Sequence, residues 1–119
     1  MIQGIGMDMV EIERIKEAVE RNPRFISRVL TEREVKRFEA LHGKRSYEYL
    51  AGRYAVKEAY GKANGTGLGK DISFQDLEVN QAPSGAPFLE VNSLAFNKRV
   101  HVSITHTDQF AAAYVIIEE

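Results

Sequence analysis

Two runs near the C-terminus decide the fold: Arg99-Val100-His101-Val102-Ser103-Ile104-Thr105-His106, then, after Thr107-Asp108-Gln109, Phe110-Ala111-Ala112-Ala113-Tyr114-Val115-Ile116-Ile117. In the first run Val100, Val102 and Ile104 alternate with His101, Ser103 and Thr105, the two-residue period of a half-buried strand. Asp108-Gln109 supplies a hairpin, and the second run is its return strand. That strand is apolar on both faces. Helices can cover one face; more sheet or a second subunit must cover the other, and the small alanines allow close backbone approach. The pattern therefore predicts an antiparallel C-terminal sheet and favours an oligomer.

Working back along the chain, Phe74 to Asn80 has strand composition, Pro83-Ser84-Gly85-Ala86-Pro87 is turn chemistry, and Phe88 to Val91 is a short return strand. A short helix is expected near Ser93 to Asn97. Ahead of these lies helical sequence. Ser46 to about Ala63 is the longest helical stretch, with Tyr47, Leu50, Ala51, Tyr54 and Ala55 along its apolar side, and Asn64 to Gly69 is loop. Thr31 with Glu34 forms a capping box opening a helix to about Leu41, which Gly43 ends. Arg24 to Leu30 reads as a short helical turn, and Glu11 to Glu20 carries the stripe Ile12, Ile15, Val19 before Asn22-Pro23 interrupts it. Residues 2–10 alternate again: Ile5, Met7 and Met9 on one side, Gly4, Gly6 and Asp8 on the other. One N-terminal strand, several helices and C-terminal antiparallel strands make an α+β domain.

The chain has 119 residues, 44% of them hydrophobic and 28% charged, which suits one domain with a packed core. It contains no cysteine, so thiol nucleophiles, disulfides and thiolate zinc sites are excluded, and a cytosolic setting is expected. The longest apolar run has eight residues, against about 20 needed to cross a bilayer, and no signal peptide is expected at the start. A net charge of −1 argues against bulk nucleic-acid binding. The charge is unevenly placed: residues 1–70 carry +4 and residues 71–119 carry −5. Between Glu20 and Glu32 there are three arginines, Arg21, Arg24 and Arg28, and no acid. Such a run is either a solvated face or a docking patch for an acidic partner.

Three positions can carry chemistry. Asp8 is a carboxylate inside a strand, where Asp is depleted, and Gly4 and Gly6 strip its face so that something can approach closely. A strand-end aspartate that caps the next helix would look the same. Tyr54, Glu58 and Lys62 share one side of the long helix with Gly61 adjacent, and Arg53 and Lys57 stand within the same ten residues. An ordinary Glu–Lys surface pair gives that spacing too. Yet two oxygen ligands from separate elements, with lysine and arginine beside them, suit a magnesium–pyrophosphate site. His106, at a strand end between two threonines, is either structural or a phosphate-binding or proton-transfer group. The glycines at 65–69 do not form a P-loop, because Gly65 leaves three residues before Gly69-Lys70, Asp71 follows, and a helix precedes.

Five strings then stand in order over nearly the whole chain: Gly4 to Ile12, Gly52-Arg53-Tyr54-Ala55-Val56-Lys57-Glu58-Ala59, Gly65-Thr66-Gly67, Ser84-Gly85-Ala86-Pro87, and His101 to Thr107. Together they resemble the holo-acyl-carrier-protein synthases, the small bacterial 4′-phosphopantetheinyl transferases. The resemblance implies a single domain over residues 1–119 that moves phosphopantetheine from coenzyme A to a serine of acyl carrier protein, leaving adenosine 3′,5′-bisphosphate. It matches Asp8 and Glu58 to the family's magnesium ligands, Lys62 to its phosphate-contacting lysine and His106 to the histidine near the pyrophosphate. Lys44, Arg45 and Arg53 fall where the coenzyme A phosphates are held, and Ser84 and Gly85 near the adenine end. Arg14, Arg21, Arg24 and Arg28 match the surface that receives the carrier's acidic helix. The family's homotrimers, with active sites between subunits, would account for the doubly apolar last strand. Thr105 stands where many members have serine. Two other functions remain open on the residues: a magnesium-dependent pyrophosphate hydrolase, using the same carboxylates without the arginines, and a non-catalytic module that binds an acidic protein.

Overall fold

A computed structural model describes residues 1–93 and 96–119. The chain runs through β1 (Ile2–Glu11), α1 (Ile12–Arg21), α2 (Arg24–Val29), α3 (Glu32–Glu39), α4 (Lys44–Asn64), a 3-10 turn (Phe74–Asp76), β2 (Leu77–Gln81), β3 (Pro87–Val91), β4 (Arg99–His106) and β5 (Phe110–Glu118). Two antiparallel sheets result: β1-β5-β4, and the hairpin β2-β3. The expected α+β architecture is what forms. Within the expected strand from Phe74, the first three residues wind into the 3-10 turn, because Asp76 accepts from the Ser73 amide at 2.9 Å and hydroxyl at 3.1 Å and closes the backbone locally. The helix expected near Ser93 to Asn97 includes residues 94–95, which lie outside the described residues.

Helix α4 is the centre of the molecule. It lies across the sheet, and its Ala55, Val56, Ala59, Tyr60 and Ala63 pack with Ala113, Val115 and Ile117 of β5 and with Leu77, Val79 and Leu89 of the small sheet. A second cluster joins Ile12, Ile15 and Val19 of α1 to Val29, Leu30, Leu50, Ala51 and Ala111. The sequence suggests one apolar side for α4, but elements surround it, and Arg53 and Lys57 are buried with the rest. Lys57 and Glu34 are fully enclosed, with Nζ and Oε1 2.6 Å apart. Lys57 also donates to the carbonyls of Val29 (2.7 Å) and Phe74 (3.2 Å), while Glu34 accepts from the amides of Thr31 and Val79, each at 2.8 Å. Every charge here has partners, as a buried pair must. Burial pulls the Lys57 ammonium below the ordinary lysine range, against the attraction of Glu34. Lys57 therefore ties α4 to α2, α3 and the 3-10 turn, with Glu34 carrying the link on to β2, and is not part of a phosphate-binding cluster.

The two sides of β1 are the reverse of a simple hydrophobic-in pattern. Gly4 and Gly6 face α4, and a Cβ on either would lie about 2 Å from a helix carbonyl oxygen: 1.9 Å from Ala63 for Gly4 and 2.0 Å from Ala59 for Gly6. The glycines let strand and helix backbones touch. What approaches the glycine-stripped side is α4 itself. Ile5, Met7 and Met9 point the other way and are more than half exposed, next to Tyr114 of β5 at 38%. Ala112, Tyr114 and Ile116 continue this uncovered face, opposite Thr105, Ser103 and His101 on β4.

Candidate active site

Asp8 lies two residues beyond the Gly6–Ala59 contact on β1, and Glu58 one residue before it on α4, so this close backbone approach brings the two carboxylates near each other. The Asp8 side chain is 16% exposed. Lys62 donates to Asp8 Oδ1 at 3.0 Å and to the Met7 carbonyl at 2.9 Å. Burial raises the Glu58 carboxyl above its ordinary value; the Asp8 charge adds to the rise, and Lys62 opposes it. Tyr54 stands beside the pair, its phenol raised by burial and then by Glu58 and Asp8. Its ring stacks on Phe74 (5.6 Å between centroids) and leans on Phe25 (6.0 Å). The bulk missing at Gly61 is filled by the loop that follows: a Cβ there would meet Gly67 at 2.8 Å, and the Gly67 amide donates to the Gly61 carbonyl at 2.9 Å.

This is a carboxylate pair whose mutual repulsion one lysine only partly relieves. All its donors are oxygens, the preference of magnesium, which takes one or two protein carboxylates and completes its shell with water and substrate phosphates. Among the described residues no three His, Cys, Asp or Glu side chains gather, so a transition-metal cage is not formed. The residues fit a hard divalent cation on Asp8 and Glu58.

His106 is elsewhere. Its Nε2 lies 3.9 Å from Glu48 Oε1, beside a cavity of about 610 Å³ at the other end of α4, whose lining includes Arg37, Arg45, Tyr49, Arg53 and Gln81. Glu48 and Lys62 are 14 residues apart on the helix, roughly 20 Å along its axis. Among the described residues no hydrogen bond or ion pair joins His106, Arg45 or Arg53 to Asp8, Glu58 or Lys62. Arg45 and Arg53 share the cavity, but Lys44 turns away, pairing with Asp108 at 3.1 Å beside a second cavity. Ser84 and Gly85 form the exposed β2–β3 turn, with Gly85 at φ +89°; the strand leading into it ends at Gln81, at the cavity edge. Arg14, Arg21, Arg24 and Arg28 are all exposed on α1 and α2, and among the described residues only Arg14 of the four forms an ion pair, with Glu11 at 3.8 Å. Sequence reasoning missed Arg37, Tyr49 and Gln81 at the cavity. Tyr49 and Arg53 do fall four apart on one helix, a spacing that could have linked them.

An oxygen-ligand pair with a lysine, and separately a cavity carrying three arginines and a histidine, define a protein that handles a phosphate-rich anion. A family model described as the 4′-phosphopantetheinyl transferase superfamily matches residues 4–115, and the chain belongs to that family. It is 58% identical over 118 residues to a holo-[acyl-carrier-protein] synthase of Listeria monocytogenes, covering 99% of each chain. Its fold matches a Bacillus anthracis holo-(acyl-carrier-protein) synthase in complex with CoA (3′,5′-ADP), with a TM-score of 0.92, 44% identity and coverage of 100% of this chain and 98% of that one. A Helicobacter pylori holo-[acyl-carrier-protein] synthase in complex with coenzyme A gives a TM-score of 0.85 at 33% identity, covering 96% of this chain and 99% of that one.

Proposed function

We propose that this chain, acting as one domain over residues 1–119, transfers 4′-phosphopantetheine from coenzyme A to a serine of apo acyl carrier protein. The observation that carries this is the Asp8–Glu58–Lys62 cluster, in a chain of that superfamily whose relatives are holo-acyl-carrier-protein synthases. The carrier's serine oxygen attacks the phosphorus that bears pantetheine. The bond from that phosphorus to the bridging oxygen breaks, and adenosine 3′,5′-bisphosphate departs with the electron pair. Magnesium, held by Asp8 and Glu58, would neutralise pyrophosphate charge and favour the in-line displacement. Lys62 donates to a phosphate oxygen as charge builds up, and His106 does the same from the leaving side. Glu58 is a side chain able to take the serine proton, and His106 is the alternative only if it stands on the attacking side instead. Arg45 and Arg53, which share a cavity, hold the coenzyme A phosphates, with the Ser84–Gly85 turn towards adenine, and Lys44, paired with Asp108 beside another cavity, stays outside that set. The carrier supplies the nucleophile and docks its acidic surface on Arg14, Arg21, Arg24 and Arg28, an encounter that weakens with salt.

The chain works as a homotrimer in the cytoplasm, with each site completed by two subunits. Two features support the trimer: within one chain His106 stands against Glu48 and Asp8 against Lys62, with no hydrogen bond or ion pair between the two groups among the described residues, and Ile5, Met7, Met9 and Tyr114 form an uncovered apolar strip. The test is intact-mass spectrometry of apo acyl carrier protein incubated with this protein, coenzyme A and magnesium. A carrier that gains one phosphopantetheine only without chelator supports the proposal; coenzyme A cleaved with the carrier unmodified indicates a hydrolase, and neither change leaves a binding module. Sedimentation at three times the chain mass, lost in Met7→Lys, tests the assembly.

A further inference from the structure

Arg53 is unusual among the cavity residues. It is 8% exposed, its Nε is buried with no hydrogen-bond partner, and no carboxylate pairs with it among the described residues. A guanidinium stays charged even when burial disfavours the charge, so it needs either a partner anion or something to hold it until one arrives. The contact in place is aromatic: its central carbon sits 4.1 Å from the centroid of the Tyr49 ring, one helical turn earlier on α4. Among the described residues the buried Tyr49 hydroxyl makes no hydrogen bond to any group other than Arg53, so the phenol is not recruited elsewhere. The two side chains line the same cavity as Arg45 and His106.

We propose that Tyr49 is a positioning residue, whose ring fixes the Arg53 guanidinium at the cavity wall so that the arginine is already oriented when a phosphate group of the substrate enters. This rests on the coenzyme A reading above and adds a residue to it. A flat ring beneath a flat guanidinium leaves the in-plane N–H groups free to meet oxygen acceptors, whereas an ion pair in the same place would occupy them. Without the ring, a substrate phosphate would have to order a mobile arginine as it binds, and affinity would fall while chemistry at the distant carboxylates changed less.

The test is calorimetric titration with adenosine 3′,5′-bisphosphate, together with steady-state kinetics for coenzyme A, on Tyr49→Leu, Tyr49→Phe, Arg53→Ala and the double variant Tyr49→Leu/Arg53→Ala. Tyr49→Leu is expected to weaken bisphosphate binding and raise KM on the order of ten-fold, with a smaller change in kcat, and Tyr49→Phe should recover most of that loss because the ring does the holding. In the Arg53→Ala background, adding Tyr49→Leu should cost little more. Undiminished binding in Tyr49→Leu overturns the proposal, as does Tyr49→Phe failing as badly as leucine, or a full additional loss in the Arg53→Ala background. A drop in kcat matched by a drop in melting temperature would make Tyr49 merely structural. If the unaltered protein binds the bisphosphate but modifies no carrier, the transferase reading fails while the Tyr49 comparison still decides on binding alone. If it binds no bisphosphate, both fall.

Discussion

Two of the three lysines on helix α4, Lys57 and Lys62, lie within 3.0 Å of an acid, and they do opposite things. Lys57 and Glu34 are sealed inside the protein, bonded to each other and to the backbone of Val29, Phe74, Thr31 and Val79. Lys62 is 54% exposed, bridges to Asp8 and leaves Glu58 beside them with its carboxyl raised. One pair is satisfied and holds helices together; the other is unbalanced, and it is the pair to which the proposed function assigns the cation and the phosphate. Only five residues separate the lysines, so what distinguishes them is what the rest of the chain folds against each.

The sharpest way to break this contrast is Lys57→Met, which strands Glu34 in the core and should cost about 3–5 kcal/mol in urea denaturation. A loss under about 1 kcal/mol would mean the buried pair holds nothing together. Asp8→Ala comes next. It should lower carrier modification by about 10²–10³-fold while the melting temperature stays near that of the unaltered protein, and near-normal turnover would remove the carboxylates from the mechanism. Lys62→Ala should slow transfer about ten-fold and barely alter urea stability, because an exposed pair contributes only about 0–1 kcal/mol. If Lys62→Ala unfolds the protein as readily as Lys57→Met, the two pairs are not different in kind.

The smallest effect concerns Glu78, near the buried pair. Burial pushes its carboxyl up, but hydrogen bonds from Thr31, Asn80 and Arg33 outweigh that and leave it below the ordinary carboxylate value. A lowered carboxyl stabilises the fold above its unfolded pKa and loses that contribution as pH falls through its folded pKa. The stability gap between the unaltered protein and Glu78→Gln should therefore be a few tenths of a kcal/mol near about pH 6 and close up by about pH 3. A gap that widens on acidification would reverse the sign.

Much of this was legible from residue order. The Thr31–Glu34 capping box, the Ile12-Ile15-Val19 stripe and the alternation in β4 all formed where their periods placed them. Alternation in β1 was equally plain but could not say which side is the core, because a period carries no direction. Glycine facing helix carbonyls and methionine facing outward become visible only when α4 is laid across the strand. Glu34 illustrates the other limit. Its capping role could be read from local spacing, whereas its partner Lys57 is 23 residues away and was indistinguishable from its surface-charged neighbours. Likewise the spacing joined Glu58 to Lys62 but gave no sign that His106 would stand at the helix's far end.

The contact of Gly6 with Ala59 has a mechanical consequence. Most neighbouring elements in a protein are separated by side chains, which act as soft spacers that rotate and yield. Here strand and helix meet main chain to main chain, and Asp8 and Glu58 are mounted within two residues of that joint. Repacking elsewhere in the core can shift the sheet or tilt the small hairpin without changing the gauge between the two mounts. A substitution as modest as Gly6→Ala would act like a shim driven into the joint, widening the gap between the two carboxylates directly.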